Sequence, residues 1–152
     1  WGKTVVRNHN ATTEARITEN TDDWAGIEIR NADPKTIRFT PEQWKKGRLL
    51  FEVNGGRDRF NNPRGGQTVK VSLRSVVNSR YNSTGTVPLA PYLQQGRIDN
   101  NPESFQTAEI PLVRFGKQEN LRNVISGIGF QFCGTGKHSG LVLRNFRFIF
   151  PE

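Results

Sequence analysis

The 152-residue chain reads as an all-β protein, a two-sheet antiparallel β-sandwich of the jelly-roll kind. Two observations predict it. Apolar residues alternate with polar ones in short runs: Leu49, Phe51, Val53, then Val69, Val71, Leu73, then Ile128, Phe130, Phe132. A period of two with one polar face marks strands half-buried in antiparallel sheets. Between the runs stand Gly, Pro, Asn and Asp, the residues that turns demand. About ten short strands joined by turns make a sandwich, and residues 1–152 are long enough for one domain with a core of its own.

In chain order the expected strands are Lys3–Asn8, Glu14–Thr18, Ala25–Arg30, Thr36–Phe39, Arg48–Asn54, Thr68–Ser75, Thr86–Leu89, Phe105–Pro111, Ile125–Cys133 and Leu141–Phe150. Thr40-Pro41-Glu42-Gln43-Trp44 reads as one turn of helix, with a capping Thr, Pro at the first helical position and an acid in the first turn. Trp44 is expected to plug the core from it. A second short coil is expected within Val113–Asn123. Asn78–Glu103 reads as a long irregular connection, and loops of that size in compact sandwiches tend to carry function. It holds Tyr81 and Tyr92, candidates for stacking platforms.

Charge is unevenly spread. Lys45 to Arg80 holds nine basic residues (Lys45, Lys46, Arg48, Arg57, Arg59, Arg64, Lys70, Arg74, Arg80) against Glu52 and Asp58, so it carries all but one unit of the chain's formal +8. A local positive field suits polyanions: nucleic acid, anionic lipid or acidic polysaccharide. No run approaches the ~20 apolar residues of a membrane span, so no membrane partner is expected. The sequence has no Met, and Trp1 is read as the start of a module cut from a longer polypeptide, or of a mature secreted protein.

Catalytic chemistry finds little footing. His9 and His138 stand outside any metal-ligand spacing, and no nucleophile elbow or phosphate loop occurs. Cys133 is the single cysteine, which leaves no internal disulfide and no Cys-based zinc site; it reads as a small strand residue. Glu28 and Glu52 take outward strand positions and invite comparison with a glycosidase pair. The cations around them favour salt bridges or hydrogen bonds to sugar hydroxyls instead.

Binding is better supported. With the alternating apolar sets facing inward, Trp24, Glu28, Arg30, Glu52, Asn54, Lys70, Arg74 and Gln131 face out. If these strands share a sheet, its exposed face presents carboxylates, amides and guanidiniums beside an indole, the groups that read hydroxyls and stack on a pyranose ring. The competing reading is a solvated face with cross-strand ion pairs. The loop Gly55–Gly66 adds Arg57, Arg59 and Arg64, forked donors for sulfate or carboxylate, together with Phe60. Its flanking glycines are expected to let it close over that face.

The order of phrases resembles the β-sandwich, jelly-roll carbohydrate-binding modules appended to bacterial polysaccharide-degrading enzymes, a galactose-binding-like architecture. The resemblance rests on Trp24-Ala25-Gly26-Ile27, Leu49-Leu50-Phe51-Glu52-Val53-Asn54-Gly55-Gly56, Gly65-Gly66-Gln67, Ile110-Pro111-Leu112 with Phe115, Ile125-Ser126-Gly127-Ile128-Gly129-Phe130, and Arg144-Asn145-Phe146-Arg147-Phe148. It spans roughly residues 24 to 150. It implies a non-catalytic module in which one sheet's outward face cradles a glycan, secreted and joined to a parent hydrolase or lyase. Many such modules carry a structural calcium held partly by an Asp of the final phrase; here that position is Asn145, and loss of the charge weakens the site.

Taken with the basic hairpin, the expected ligand is a polysaccharide, acidic by preference (sulfated or uronate-bearing), with a neutral β-glycan as the nearest alternative. A second class is single-stranded nucleic-acid binding through Phe60, Tyr81 and the cations, although the aromatic phrases of RNA-binding sheets are missing. A third is a structural jelly roll from a capsid or adhesive fibre.

Overall fold

The computed structural model describes residues 4–9, 14–20, 24–30, 39–58, 60–77, 80–116, 127–133 and 141–151. Among the described residues ten strands run β1 (Thr4–His9), β2 (Glu14–Asn20), β3 (Trp24–Arg30), β4 (Arg48–Asn54), β5 (Val69–Val77), β6 (Arg80–Ser83), β7 (Val87–Pro88), β8 (Gln106–Pro111), β9 (Gly127–Cys133) and β10 (Leu141–Ile149). A short helix, α1 (Pro41–Lys46), precedes β4, and 3-10 turns occupy Ala90–Tyr92 and Leu112–Phe115. Sheet I has the order β1-β2-β10-β4-β8; sheet II has the order β3-β9-β5-β6, with β7 pairing β5 beyond the end of β6. Every pairing among the described residues is antiparallel, so the predicted sandwich stands.

The alternating sets meet between the sheets. Leu49, Phe51 and Val53 of β4 face Val69, Val71 and Leu73 of β5 with Ile128 and Phe130 of β9 in one buried cluster. Phe51 meets Phe130 edge-on at 5.4 Å between centroids, across the two sheets. It also stacks on Phe146 at 5.4 Å. Removing such rings from water supplies about 1.5–3 kcal/mol each.

Strand β10 reaches this core through a bulge. Arg144 pairs with Glu52 and Arg147 with Leu50, so Asn145 and Phe146 together oppose Phe51. Asn145 takes φ 57°, a left-handed conformation that Asn tolerates better than most residues. The extra residue shifts the alternation: Leu141 and Leu143 point inward before it, Phe146, Phe148 and Phe150 after it. Phe148 and Phe150 then receive Phe39, at 5.0 and 5.2 Å. Helix α1 follows the expected cap chemistry. Thr40 Oγ1 accepts from the Gln43 backbone, and the Gln43 side chain accepts from the Thr40 backbone. Trp44 is buried and donates from Nε1 to the Gly116 carbonyl at 3.1 Å.

The connection from β4 to β5 crosses from sheet I to sheet II and is built around one acid. Asp58, whose side chain is fully buried, accepts at Oδ1 from the Phe60 and Asn62 backbones, both at 2.9 Å. Its Oδ2 accepts from Arg64 Nε and Nη2 at 3.1 and 2.7 Å. Asn61 sits at φ 65°. Arg57 donates to the Asn61 carbonyl and pairs with Glu103 at 3.3 Å. The loop base is tied to Ile98 by Gly66 and to Gly55 by Gln67. A Cβ on Gly55 would lie 2.0 Å from the Arg64 carbonyl, so the two loop arms touch where that glycine stands.

Three expectations change. Of the predicted strand Thr36–Phe39, residues 36–38 lie outside the described residues, and Phe39 packs on β10 rather than in a ladder. The Val113–Asn123 coil appears only as the turn Leu112–Phe115; residues 117–123 lie outside the described residues. Asn78–Glu103 is less irregular than expected, since Arg80–Ser83 and Val87–Pro88 both pair with β5. Arg80–Ser83 (RYNS) shows no apolar alternation because it borders the sheet and is held by the β5 ladder.

Two outcomes follow from this architecture. Asn145→Val, which forces a β-branched residue into the left-handed region, lowers stability by about 1–2 kcal/mol beyond the effect of Asn145→Gly, read from urea midpoints; equal costs would show that the bulge does not require this conformation. The hydrogen bond from the Asn62 backbone, with the help of Arg64 and Phe60, holds the Asp58 carboxyl below its usual range. Its stabilisation is therefore present above the ordinary Asp value of about 3.9 and is lost as pH falls through the lower folded value. Asp58→Asn should lower the thermal midpoint at neutral pH, with the gap to wild type closing below about pH 4; a gap constant down to pH 2 would contradict the linkage.

Candidate functional site

The outer face of sheet II gathers most of the residues expected at the site. On β5 Lys70, Ser72 and Arg74 point outward, opposite Gln131, Gly129 and Gly127 of β9. Those three in turn oppose Gly26, Glu28 and Arg30 of β3. Trp24 pairs with Cys133 at the end of the same ladder, and on β6 Ser83 opposes Arg74 while Tyr81 opposes Val76. By register Trp24, Arg30 and Tyr81 therefore belong to this face; their side chains lie outside the described residues.

Strand β9 is bare at Gly127 and Gly129, and its neighbours lean over it there. A Cβ on Gly129 would lie 2.5 Å from Arg74 Nε, and one on Gly127 would lie 2.8 Å from Glu28 Oε1. Glycine at both positions lets a guanidinium and a carboxylate lie flat across β9 from opposite sides. Arg74 Nε also donates to Ser72 Oγ at 3.0 Å, and Ser72 is buried. The donor fork of Arg74 is thus braced before any ligand arrives. Glu28, Arg74 and Gln131 are half-buried and Lys70 is exposed. The face offers carboxylate acceptor, guanidinium and ammonium donors and an amide over a flat floor, a set able to read ring hydroxyls.

Two expected residues belong elsewhere. Glu52 and Asn54 lie on β4, in sheet I, because alternation dictates which side of a strand is buried but not which sheet the strand joins. Asn54 is buried; its Nδ2 donates to the Asn101 and Ser104 carbonyls at 3.2 and 2.6 Å, and its Oδ1 accepts from Gly56 at 2.7 Å. It staples loops and has no surface to offer a ligand. Glu52 is held on the outer face of sheet I by Arg144, at 3.3 and 3.4 Å, and by the Asn145 amide. Partial burial pushes its carboxyl up, but these hydrogen bonds outweigh it and hold the group below the usual range.

The Gly55–Gly66 loop is a stapled unit rather than a free lid. Arg64 is committed to Asp58, and Arg57 to Glu103 and Asn61. Arg59 lies outside the described residues. Phe60 stands at the loop tip with 64% of its surface exposed. The alternation of Gly127 and Gly129 with Ile128 and Phe130 is the sequence signal for the bare strip: two glycines of one parity mark a gap in one face.

Asn145 is where the family resemblance would place a calcium ligand. Its amide donates to Glu52, and Arg144 and Arg147 both act on the same carboxylate. Guanidiniums thus occupy the field a divalent cation would need, and the donor set does not fit calcium. No group of three or more His, Cys, Asp or Glu able to hold a metal occurs among the described residues.

No family profile and no curated protein matches the sequence. Solved structures do match the fold. A family 30 carbohydrate-binding module superposes with a TM-score of 0.68 at 14% identity, over 98% of this chain and 74% of that one. A family 11 module from Clostridium thermocellum, in complex with a β-1,3-1,4-mixed-linked tetrasaccharide, gives 0.55 at 13%, over 97% and 81%. A family 29 module gives 0.52 at 11%, over 96% and 75%. The chain has the β-sandwich fold of carbohydrate-binding modules.

Proposed function

We propose that the outer face of sheet II binds a β-linked polysaccharide without transforming it, as a targeting module for an attached glycan-degrading enzyme outside the cell. The observation that carries this is the pair Glu28 and Arg74, laid from opposite sides over the glycine strip of β9 with Lys70 and Gln131 beside them. The fold supports it, since a module of similar fold is seen with a mixed-linked β-glucan tetrasaccharide. Trp24 and Tyr81, at register positions of the same face, are the residues we assign to stacking.

Catalysis is disfavoured by placement. A glycosidase needs two carboxyls about 5–9.5 Å apart flanking one bond. Glu28 and Glu52 point outward from opposite sheets of a sandwich whose layers alone are ~10 Å apart. No helix among the described residues is long and apolar enough to cross a membrane.

An acidic glycan is the second reading. Lys70, Arg74 and, by register, Arg30 outnumber Glu28 on this face. The loop arginines add less than their number suggests, because Arg57 and Arg64 already have carboxylate partners.

Affinity gel electrophoresis separates these readings. Retardation by mixed-linked β-glucan at physiological salt is the expected outcome; retardation by alginate or carrageenan alone would replace the neutral ligand with an anionic one, and none by any glycan would sink the carbohydrate reading. Arg74→Ala should weaken binding roughly tenfold to a hundredfold, the worth of a charge-assisted hydrogen bond. Gly129→Ala should weaken it comparably by displacing Arg74. The double variant should then be no worse than Arg74→Ala alone; additive losses would show that the two positions act separately.

A further inference from the structure

The outer face of sheet I, on the opposite side of the sandwich, carries a recess of about 150 Å³ floored by Leu50 and Phe51 and rimmed by Glu52, Thr107, Asn145 and Arg147. The β10 bulge builds it. By placing an extra residue opposite Phe51, it sends Arg144 and Arg147 to the same side of the strand, over Glu52 and Leu50. Such bulges re-aim side chains and are common beside binding sites.

The cations on this face are unequal. Arg48 pairs with Glu109 at 2.8 Å. Arg144 pairs with Glu52 and lies over the Phe105 ring at 3.5 Å. Arg147 is exposed, and among the described residues it forms no hydrogen bond or ion pair, although its field reaches Glu52. Within the recess Glu52 faces Arg147, and the carboxylate is already claimed by Arg144, which stands outside the recess, and by Asn145. The surplus is a single positive fork beside an apolar floor and a threonine hydroxyl.

We infer that this recess binds one monosaccharide unit bearing a single anionic group, a uronate carboxylate or a sulfate ester. The guanidinium of Arg147 would take the anion in a forked contact. Leu50 would meet an apolar ring face, and Thr107 would exchange hydrogen bonds with hydroxyls. A bare anion has no use for the apolar floor. At about 150 Å³ the space lies below the ~300 Å³ at which sites for larger ligands begin, so it suits one ring rather than a chain segment. This site is independent of the sheet II reading.

The test is an amide and arginine Nε NMR titration of the whole chain with glucuronate and with galactose 6-sulfate, using glucose and acetate as controls. Saturable shifts are expected at Leu50, Thr107 and the Arg147 Nε–H with one or both anionic sugars, weakening as salt rises. Arg147→Gln should reduce that affinity at least about tenfold, and Thr107→Val should reduce it while leaving the response to acetate unchanged. Equal shifts with glucose would overturn the anionic requirement, equal shifts with acetate would overturn the sugar, and shifts confined to sheet II residues would overturn the site. β-glucan retardation of Arg147→Gln, read in parallel, keeps failure of this site distinct from failure of the sheet II face.

Discussion

The left-handed turn of Asn145 is the constraint from which much of this structure descends. A strand that alternates strictly would carry Leu141 and Leu143 into the core and then turn Phe146, Phe148 and Phe150 out to water. One residue at φ 57° reverses the parity instead. Phe146 can then stack on Phe51, and Phe148 and Phe150 can receive Phe39 at the start of the segment leading into helix α1. The same reversal brings Arg144 and Arg147 out together, three residues apart rather than two. Core closure at one end of the sandwich and the charged relief of sheet I are thus two results of a single backbone event.

Electrostatics in the basic stretch is more local than its net charge implies. Asp58 neutralises Arg64 within the loop, Glu103 takes Arg57, and Glu109 takes Arg48. Among the described cations, Lys70 and Arg74 stand on the outer face of sheet II, with Arg74 braced on Ser72, and Arg147 stands on sheet I. A pair screened by its own carboxylate contributes little beyond a Debye length of about 8 Å at physiological salt. Recognition therefore depends on where the donors stand, not on the total.

Much of the fold was legible. Period-two alternation located β4, β5, β8, β9 and β10 to within a residue or two, and Thr40-Pro41 announced α1. Face was legible as well: Lys70, Arg74, Gln131 and Glu28 do share one exposed surface. Sheet membership was not, because the parity of Leu49, Phe51 and Val53 is the same whichever sheet takes the strand, and so Glu52 and Asn54 were grouped with the wrong neighbours. The role of Asp58 was hidden for a related reason. A buried acid in a polar loop looks like any solvated acid until the backbone folds around it, and flanking glycines that suggested mobility instead permit close contact between the loop arms.

That loop has an energetic consequence of its own. Phe60 is displayed on a turn held by Asp58, whose carboxylate accepts from the backbone of Phe60 itself and from that of Asn62. Ordering a flexible loop on association costs free energy, and here the backbone of the turn is ordered by folding. A surface that covers the ring therefore has less backbone to order than one that must first fold the loop, so one exposed phenylalanine can weigh more in binding than its size alone would suggest.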